Sequence, residues 1–295
     1  MAEHIVVGHD GSGNGERALE WAIAEARAGS AELKVVVSTG RPVAVDPSLY
    51  GSFLEALEEE AERIAVAAVT RAREAGVTAA AVVERGDAAG VLVHASEDAA
   101  LLVLGRRGRR GVRGRLGSVS SAASAHARCP VVVLPERWDP RAGDPSAGVF
   151  AGRVVTGVDR LGRDNPALAA AARHAQRHGA GLALVTVVPE ATSVPMGSAE
   201  LERAVREQLT GPARALVDQV AEAVRGNHPG LPVETFVFSG RPADRLVEAG
   251  RSARLTVVGS RGYGGFRGLL MGSVSQAVLS DGAGPVMVVP NRARD

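Results

Sequence analysis

The sequence predicts an α/β protein with two tandem five-stranded parallel sheets, each doubly wound with helices on both faces. Three observations predict this fold class. Short runs of apolar and β-branched residues alternate with amphipathic helical segments, the alternation occurs twice, and a glycine-rich segment follows the fourth apolar run of each copy. A chain of 295 residues, 45% of them hydrophobic, can bury the cores of two domains of about 150 residues each.

The first copy contains five apolar runs, whose unbroken hydrophobicity is typical of parallel strands buried on both faces. In chain order they are HIVVGH, LKVVVS, VTAAAVV, ALLVLG and PVVVLP. After the first run, apolar residues recur at helical spacing from Ala18 to Ala26, and Gly29 is expected to end that helix. After the second run, the same spacing from Leu54 to Val69 predicts a longer helix that stops at Gly76.

The second copy repeats this order of elements. Its predicted strands are VVTGV, LALVTVV, VETFVF, RLTVVG and PVMVVP. Gly211 and Pro212 predict a bend in its long helix. Right-handed crossovers favour the strand order 3-2-1-4-5 in each sheet, which reverses between strands 1 and 4.

The linker between the copies is recognisable by composition. PERWDPRAGDPSAG at 135–148 is rich in proline, glycine and charged residues. The copies on either side of it begin and end with similar segments, since IVVGHDGSG resembles VVTGVDRLG and CPVVVLP resembles GPVMVVP. We therefore predict a first domain at 1–136, a linker at 137–151 and a second domain at 152–295.

The glycine-rich segment GRRGRRGVRGRLGS at 105–118 could be a collagen-like tract, an arginine-rich arm or a phosphate-binding loop. In its second copy, GSRGYGGFRGLLMGS, the threefold glycine rhythm stops after Gly268 while the glycines at the two ends remain, so the repeated feature is not a collagen-like tract. Both copies lie at the switch point of the predicted sheet and lead into a helix, whose N-terminus favours an anion. The pattern favours a phosphate loop, although the arginines could equally form a solvated surface patch and the aspartates after strand 1 could simply cap a turn.

These residues resemble the universal stress protein family, in its tandem nucleotide-binding form. The resemblance lies in the G-x2-G-x9-G-S pattern after strand 4 with an aspartate at the end of strand 1, and it extends over nearly the whole chain. The first copy departs from this pattern, because its loop has eight residues where the family has nine. The second copy has Asp159-Arg160-Leu161 where the family has a small Asp-Gly-Ser turn.

The resemblance implies ATP as the ligand of each half, with Mg²⁺ as a metal that could accompany its phosphates. The aspartates would meet adenosine, Val187 would pack near adenine, and the glycine loops would hold ribose and phosphates, whereas Ser38 replaces Val187 in the first copy. In the first half the implied residues are Gly8, Asp10, Gly105, Arg106, Arg107, Gly108, Gly117, Ser118 and Val119. In the second half they are Gly157, Asp159, Val187, Gly259, Ser260, Arg261, Gly262, Gly272, Ser273 and Val274.

Composition excludes or disfavours several classes of function. The net charge is only +1, and aromatic residues make up 3% of the chain, so nucleic-acid binding is disfavoured. Lys34 is the only lysine, which excludes a Walker-type loop. No apolar run is long enough to span a membrane and the N-terminus lacks a signal-peptide pattern, so we expect a cytoplasmic protein without a membrane partner.

The leading functional hypothesis is a non-enzymatic, ATP-binding regulator of the stress response. A slow ATP-hydrolysing enzyme is the first alternative, although no nucleophile with an adjacent histidine is recognisable. A nucleotide-free interaction module is the second. The apolar last strands, VVVLP and VMVVP, are predicted to pair the two domains with each other or to form a homodimer.

Overall fold

The computed structural model describes residues 4–40, 50–109, 116–138, 148–159, 165–190, 199–261 and 271–291. The chain divides into two compact units, 1–140 and 141–291. The domain limits given above stay a prediction. Among the described residues, no helix combines the length and the apolar character that crossing a membrane requires.

The first unit alternates strands and helices along the chain. Its five strands are all parallel and lie in the order β3-β2-β1-β4-β5. The elements are β1 His4–Gly8, α1 Gly13–Gly29, β2 Glu32–Ser38, α2 Tyr50–Glu74, β3 Ala79–Glu84, α3 Ala88–Ala95, β4 Leu101–Gly105, α4 Ser118–His126 and β5 Val131–Leu134.

The second unit has the same arrangement. Its parallel strands lie in the order β8-β7-β6-β9-β10, so both sheets have the predicted order 3-2-1-4-5 and the predicted fold class is confirmed. The elements are β6 Val154–Gly157, α5 Pro166–Arg177, β7 Leu182–Val188, α6 Ala199–Asn227, β8 Val233–Ser239, α7 Pro242–Ala249, β9 Leu255–Gly259, α8 Ser273–Asp281 and β10 Val286–Val289.

The core of each unit surrounds its central strands. In β1 and β4, successive residues such as Val6 and Val7 or Leu102 and Val103 are all fully buried, because helices cover both faces of the sheet. Helix α1 begins where the Ser12 side chain accepts a hydrogen bond from the Gly15 N–H at 3.1 Å, and it ends at Gly29 as predicted.

Two local features go beyond what the sequence indicated. Helix α6 runs without interruption across Gly211 and Pro212, and the bend expected there stays a prediction. Phe150, which the sequence places in the linker, is buried in the second unit, with its ring centroid 4.8 Å from that of Phe236 on β8. Burial of an aromatic ring against another ring is stabilising. The glycine and proline content of the neighbouring residues gives no sign of this contact.

Candidate functional site

The first cavity, of about 270 Å³, lies at the carboxyl ends of β1 and β4, where the strand order reverses. All nine residues predicted for the first half line it, so the fold brings together positions that are far apart in the sequence. Val36, Leu92 and Leu104 add an apolar wall that the sequence analysis did not assign to the site. The role of these residues in binding stays a prediction.

The carboxylate of Asp10 joins the turn after β1 to the glycine loop after β4. Its Oδ1 atom accepts hydrogen bonds from the Ser12 N–H at 3.0 Å and from the Ser12 hydroxyl at 2.6 Å. Its Oδ2 atom accepts one from the backbone N–H of Arg109 at 2.8 Å. Ser12 and Arg109 were missed at the sequence level, because the family resemblance gives no role to their positions in the Asp-Gly-Ser turn and the glycine loop.

The ends of the first glycine loop are hydrogen-bonded to each other. The Gly117 N–H donates to the Arg106 carbonyl at 3.0 Å, and the Ser120 hydroxyl donates to the same carbonyl at 2.8 Å. Gly117 is the N-cap of α4 and supplies no side chain to bond the first amides of that helix. This helix N-terminus can therefore offer its N–H groups to an anion.

Arginines in the first loop are partly neutralised by protein carboxylates. Arg106 and Arg107 are only 9% and 8% exposed, and an Arg107 guanidinium nitrogen lies 2.5 Å from a carboxylate oxygen of Glu136. The more exposed Arg109 forms an ion pair with Glu60 on α2 at 3.0 Å. Because charge is rarely buried without a counter-charge, this half of the site is built around positive groups held by acidic neighbours.

His9 supports the same turn from inside the protein. Its Nδ1 atom accepts a hydrogen bond from the Gly11 N–H at 3.1 Å, which places the ring proton on Nε2, 3.3 Å from a carboxylate oxygen of Glu16. Burial lowers the pKa of His9 and outweighs the opposing effects of Glu16 and Asp10. The neutral imidazole is therefore the form that fits this contact.

The second cavity, of about 280 Å³, occupies the corresponding place at the carboxyl ends of β6 and β9. Ser260, Gly272 and Ser273 adjoin this place without lining the cavity, and Gly262 lies outside the described residues. The predicted residues that do line it are Gly157, Asp159, Val187, Gly259, Arg261 and Val274.

The second loop is closed by the same backbone hydrogen bond as the first, and its serine donates to the carbonyl one residue earlier. The Gly272 N–H donates to the Ser260 carbonyl at 2.8 Å, and the Ser275 hydroxyl donates to the Gly259 carbonyl at 2.5 Å. Asn291, which the sequence analysis missed, donates from its side-chain amide to the Arg261 carbonyl at 2.5 Å. Its backbone N–H donates to the Ser260 hydroxyl at 3.2 Å.

Some missed residues carried a signal in the repeat. Ser120 and Ser275 both end the repeated Gly-Ser-Val-Ser segment, so their shared position could have marked them. Glu136 and Asn291 each follow the proline after the last strand, but a carboxylate and an amide make different bonds there. The repeat could thus locate the position without giving its chemistry.

At the second strand, the two cavities differ in polarity. The Ser38 hydroxyl donates to the Gly86 carbonyl at 2.8 Å and accepts from the Gly40 N–H at 3.1 Å, so protein groups already engage it. Val187 presents an apolar surface at the matching place. Ser38 is therefore better suited to fixing the backbone at Gly40 and Gly86 than to contacting a ligand.

The fold and the two cavities define a tandem, doubly wound α/β protein with a lined crevice at each switch point. The family model for the universal stress protein family matches residues 1–135 and 151–290. The chain belongs to this family, which confirms the resemblance drawn from the glycine loops.

Relatives of similar length support this assignment. The chain is 33% identical over 308 residues to the universal stress protein Rv1996 of Mycobacterium tuberculosis, covering 96% of this chain and 94% of the relative. It is 30% identical over 298 residues to a universal stress protein of Mycolicibacterium smegmatis, covering 98% and 97%. A crystal structure of a universal stress protein from Archaeoglobus fulgidus superimposes with a TM-score of 0.68 over 97% of this chain and 96% of that one. At 21% identity that likeness concerns the fold alone.

Proposed function

We propose that this protein is a stress-response regulator that binds ATP in the cavity of each unit and acts through binding rather than turnover. The observation that carries the proposal is the repeated cavity at the switch point, bounded by a helix N-terminus whose N-cap is glycine. Such a helix end attracts phosphate through its N–H groups and its dipole. Family membership supports the same role.

In the proposed complex, the phosphates lie against the N-termini of α4 and α8. Arg106 and Arg107 add positive charge in the first cavity, and Arg261 does so in the second. Hydrogen bonds to charged phosphate contribute about 1.5–3 kcal/mol each, so several of them can offset an association cost of about 4–15 kcal/mol. We expect micromolar affinity.

Adenosine would extend towards the apolar wall of each cavity, with adenine near Val187 in the second. Any Mg²⁺ would be held mainly by the phosphates and water, as is usual for this ion. In the first unit the Asp10 carboxylate would contribute little to holding the ion, because it already accepts three hydrogen bonds from protein donors.

The proposal that the protein does not turn over ATP is supported by how its candidate bases are used. In the first cavity, Asp10 and His9 are both engaged in holding the turn after β1. A general base must be able to reach and accept a proton from water. Steady multiple turnover that Asp159→Ala abolishes in a folded protein would favour the enzymatic alternative.

The binding test uses a carboxylate placed at each helix N-terminus. Ser118 and Ser273 are exposed first residues of α4 and α8. Glutamate there is compatible with the helix dipole but repels phosphate, so Ser118→Glu and Ser273→Glu should each remove one ATP per chain in calorimetry and native mass spectrometry. Ser118→Gln and Ser273→Gln are the neutral controls. Absence of saturable ATP binding by the folded wild-type protein, or binding that survives both glutamates together, would contradict the proposal.

The last strands carry the proposed pairing of the two domains or of two chains. β5 and β10 are short strands made only of buried apolar residues, which suits strand pairing. Solution scattering and light scattering would test this pairing. A monomer whose two domains move independently would exclude both forms of it.

A further inference from the structure

The first unit holds its Asp10 carboxylate in a site formed by protein groups. The three donors are the backbone N–H and the hydroxyl of Ser12 and the backbone N–H of Arg109, which is 99 residues away in the sequence. An ionised carboxylate has about four acceptor positions. About one therefore remains on Oδ2 for a ligand.

Two glycines leave the space that this carboxylate occupies. A Cβ atom on Gly108 would lie 2.6 Å from Asp10 Oδ2, and one on Gly15 would lie 3.0 Å from Asp10 Oδ1. Neither glycine is among the described residues with positive φ, so backbone conformation does not explain why these positions are glycine. Contact with the carboxylate does explain it.

Arg109 is fixed from a second direction. While its N–H donates to Asp10, its guanidinium forms the ion pair with Glu60 on α2. A Cβ atom on Gly11, which has φ of +75°, would lie 3.0 Å from the same guanidinium. The start of the glycine loop is thus held between the turn after β1 and helix α2.

We propose that Asp10 is a positioning residue whose carboxylate fixes the start of the first glycine loop, and that Gly108 is glycine to admit this carboxylate rather than a ligand. The loop start is then ordered before any nucleotide arrives. Where a ligand binds this cavity, Asp10 acts on it chiefly through the loop. The part of the proposal that concerns affinity rests on the proposed ATP site.

The test is a double-mutant cycle of Asp10→Ala and Gly108→Ala. In nucleotide-free protein, Asp10→Ala should speed amide exchange at Arg109 about tenfold, because it removes a hydrogen bond to a charged acceptor. Gly108→Ala alone should do the same by displacing the carboxylate. In the double variant, Gly108→Ala should add less than about twofold, since its steric partner is gone.

Affinity provides the second readout, in a Ser273→Glu background that reports only the first cavity. Asp10→Ala and Gly108→Ala should each weaken ATP binding about tenfold, with the same non-additivity, while binding at the second cavity in a Ser118→Glu background stays unchanged. Gly90→Ala is the matched glycine control, because its Cβ would lie 3.8 Å from the nearest carboxylate oxygen. Asp10→Ser, which can still accept from Ser12, replaces Asp10→Ala if that variant does not fold.

Strictly additive effects of the two substitutions, or unchanged exchange at Arg109 in the Asp10 variants, would overturn the proposal. These outcomes do not depend on nucleotide. If ATP fails to bind while exchange at Arg109 responds as expected, the proposed function is wrong and the positioning role stands.

Discussion

The two units have the same frame but different charges at the start of the glycine loop. In the first, Arg107 forms an ion pair with Glu136. At the aligned places in the second, the Asn291 amide donates to the backbone carbonyl of Arg261. A charge pair has been exchanged for a neutral hydrogen bond. The backbone hydrogen bond that closes each loop is present with either of them.

The frame that both units keep is made by the backbone and one serine. The bonds from Gly117 to Arg106 and from Gly272 to Ser260 correspond, and Ser120 and Ser275 each donate to a carbonyl at the loop start. Backbone bonds are insensitive to side-chain replacement, which is why the loops can diverge in charge. Substitutions at the loop starts should therefore destabilise both units, by amounts that depend on the local packing, and changes of charge should affect the two units differently.

The largest difference is expected for the aligned glycines Gly105 and Gly259. A Cβ on Gly105 would lie 2.7 Å from the Asn14 carbonyl oxygen, and helix backbone cannot easily move. A Cβ on Gly259 would lie 3.0 Å from the Asn291 side-chain oxygen and 3.2 Å from the Arg261 carbonyl oxygen, contacts that a shift of a few tenths of an ångström relieves. We expect Gly105→Ala to lower the free energy of unfolding by about 3 kcal/mol and Gly259→Ala by about 1 kcal/mol. Urea unfolding measures both, and equal costs would show that the two loop starts are packed alike.

The ion pair at the first loop gives the next largest effect. Glu136→Gln removes the carboxylate beside the buried Arg107, but the Glu136 side chain is 42% exposed, so water partly compensates. We expect a loss of about 1–2 kcal/mol, against less than about 1 kcal/mol for Asn291→Ala. Urea unfolding at low and high salt checks this, because only the Glu136→Gln effect should shrink with salt. A larger loss for Asn291→Ala would reverse the comparison.

His9 should give the first unit a pH dependence below neutrality. Because burial lowers its folded-state pKa, the unfolded chain takes up a proton first, and stability falls as the pH drops below about 6.5 towards the folded value. The slope for one proton cannot exceed about 1.4 kcal/mol per pH unit. His9→Gln, whose oxygen can still accept from Gly11, should flatten the profile of unfolding free energy between pH 7 and 5. The exposed His94→Gln is the control, and an equal flattening there would refute the assignment.

The smallest expected difference is the salt dependence of ATP binding. With Arg106 and Arg107 lining it, the first cavity should lose affinity more steeply with added NaCl than the second, where Ser260 stands at the place of Arg106. We expect a few-fold difference between 50 and 300 mM salt, measured by calorimetry on Ser273→Glu and Ser118→Glu. Parallel salt profiles would mean that the arginines are neutralised within the protein.

Features with a local or repeated signal could be predicted from the sequence. Apolar runs located the strands, Gly29 ended α1, and Gly117 preceded α4 as expected. The pairing of Asp10 with Arg109 had no such signal, because the fold alone brings together residues so distant in the chain. Phe150 was assigned to the linker because the residues before it are rich in proline, glycine and charge. Its burial depends on a contact with Phe236 of β8, which is distant in the sequence.

The bonds from Gly117 to Arg106 and from Gly272 to Ser260 also bear on how these loops evolve. Each bond joins the two ends of a loop, and the entropic cost of closing a loop grows only slowly with the number of residues in it. Adding or deleting a residue inside the loop thus leaves its ends where they are. The two repeats, which differ by one residue there, could drift in length and charge while each kept its helix end facing the crevice.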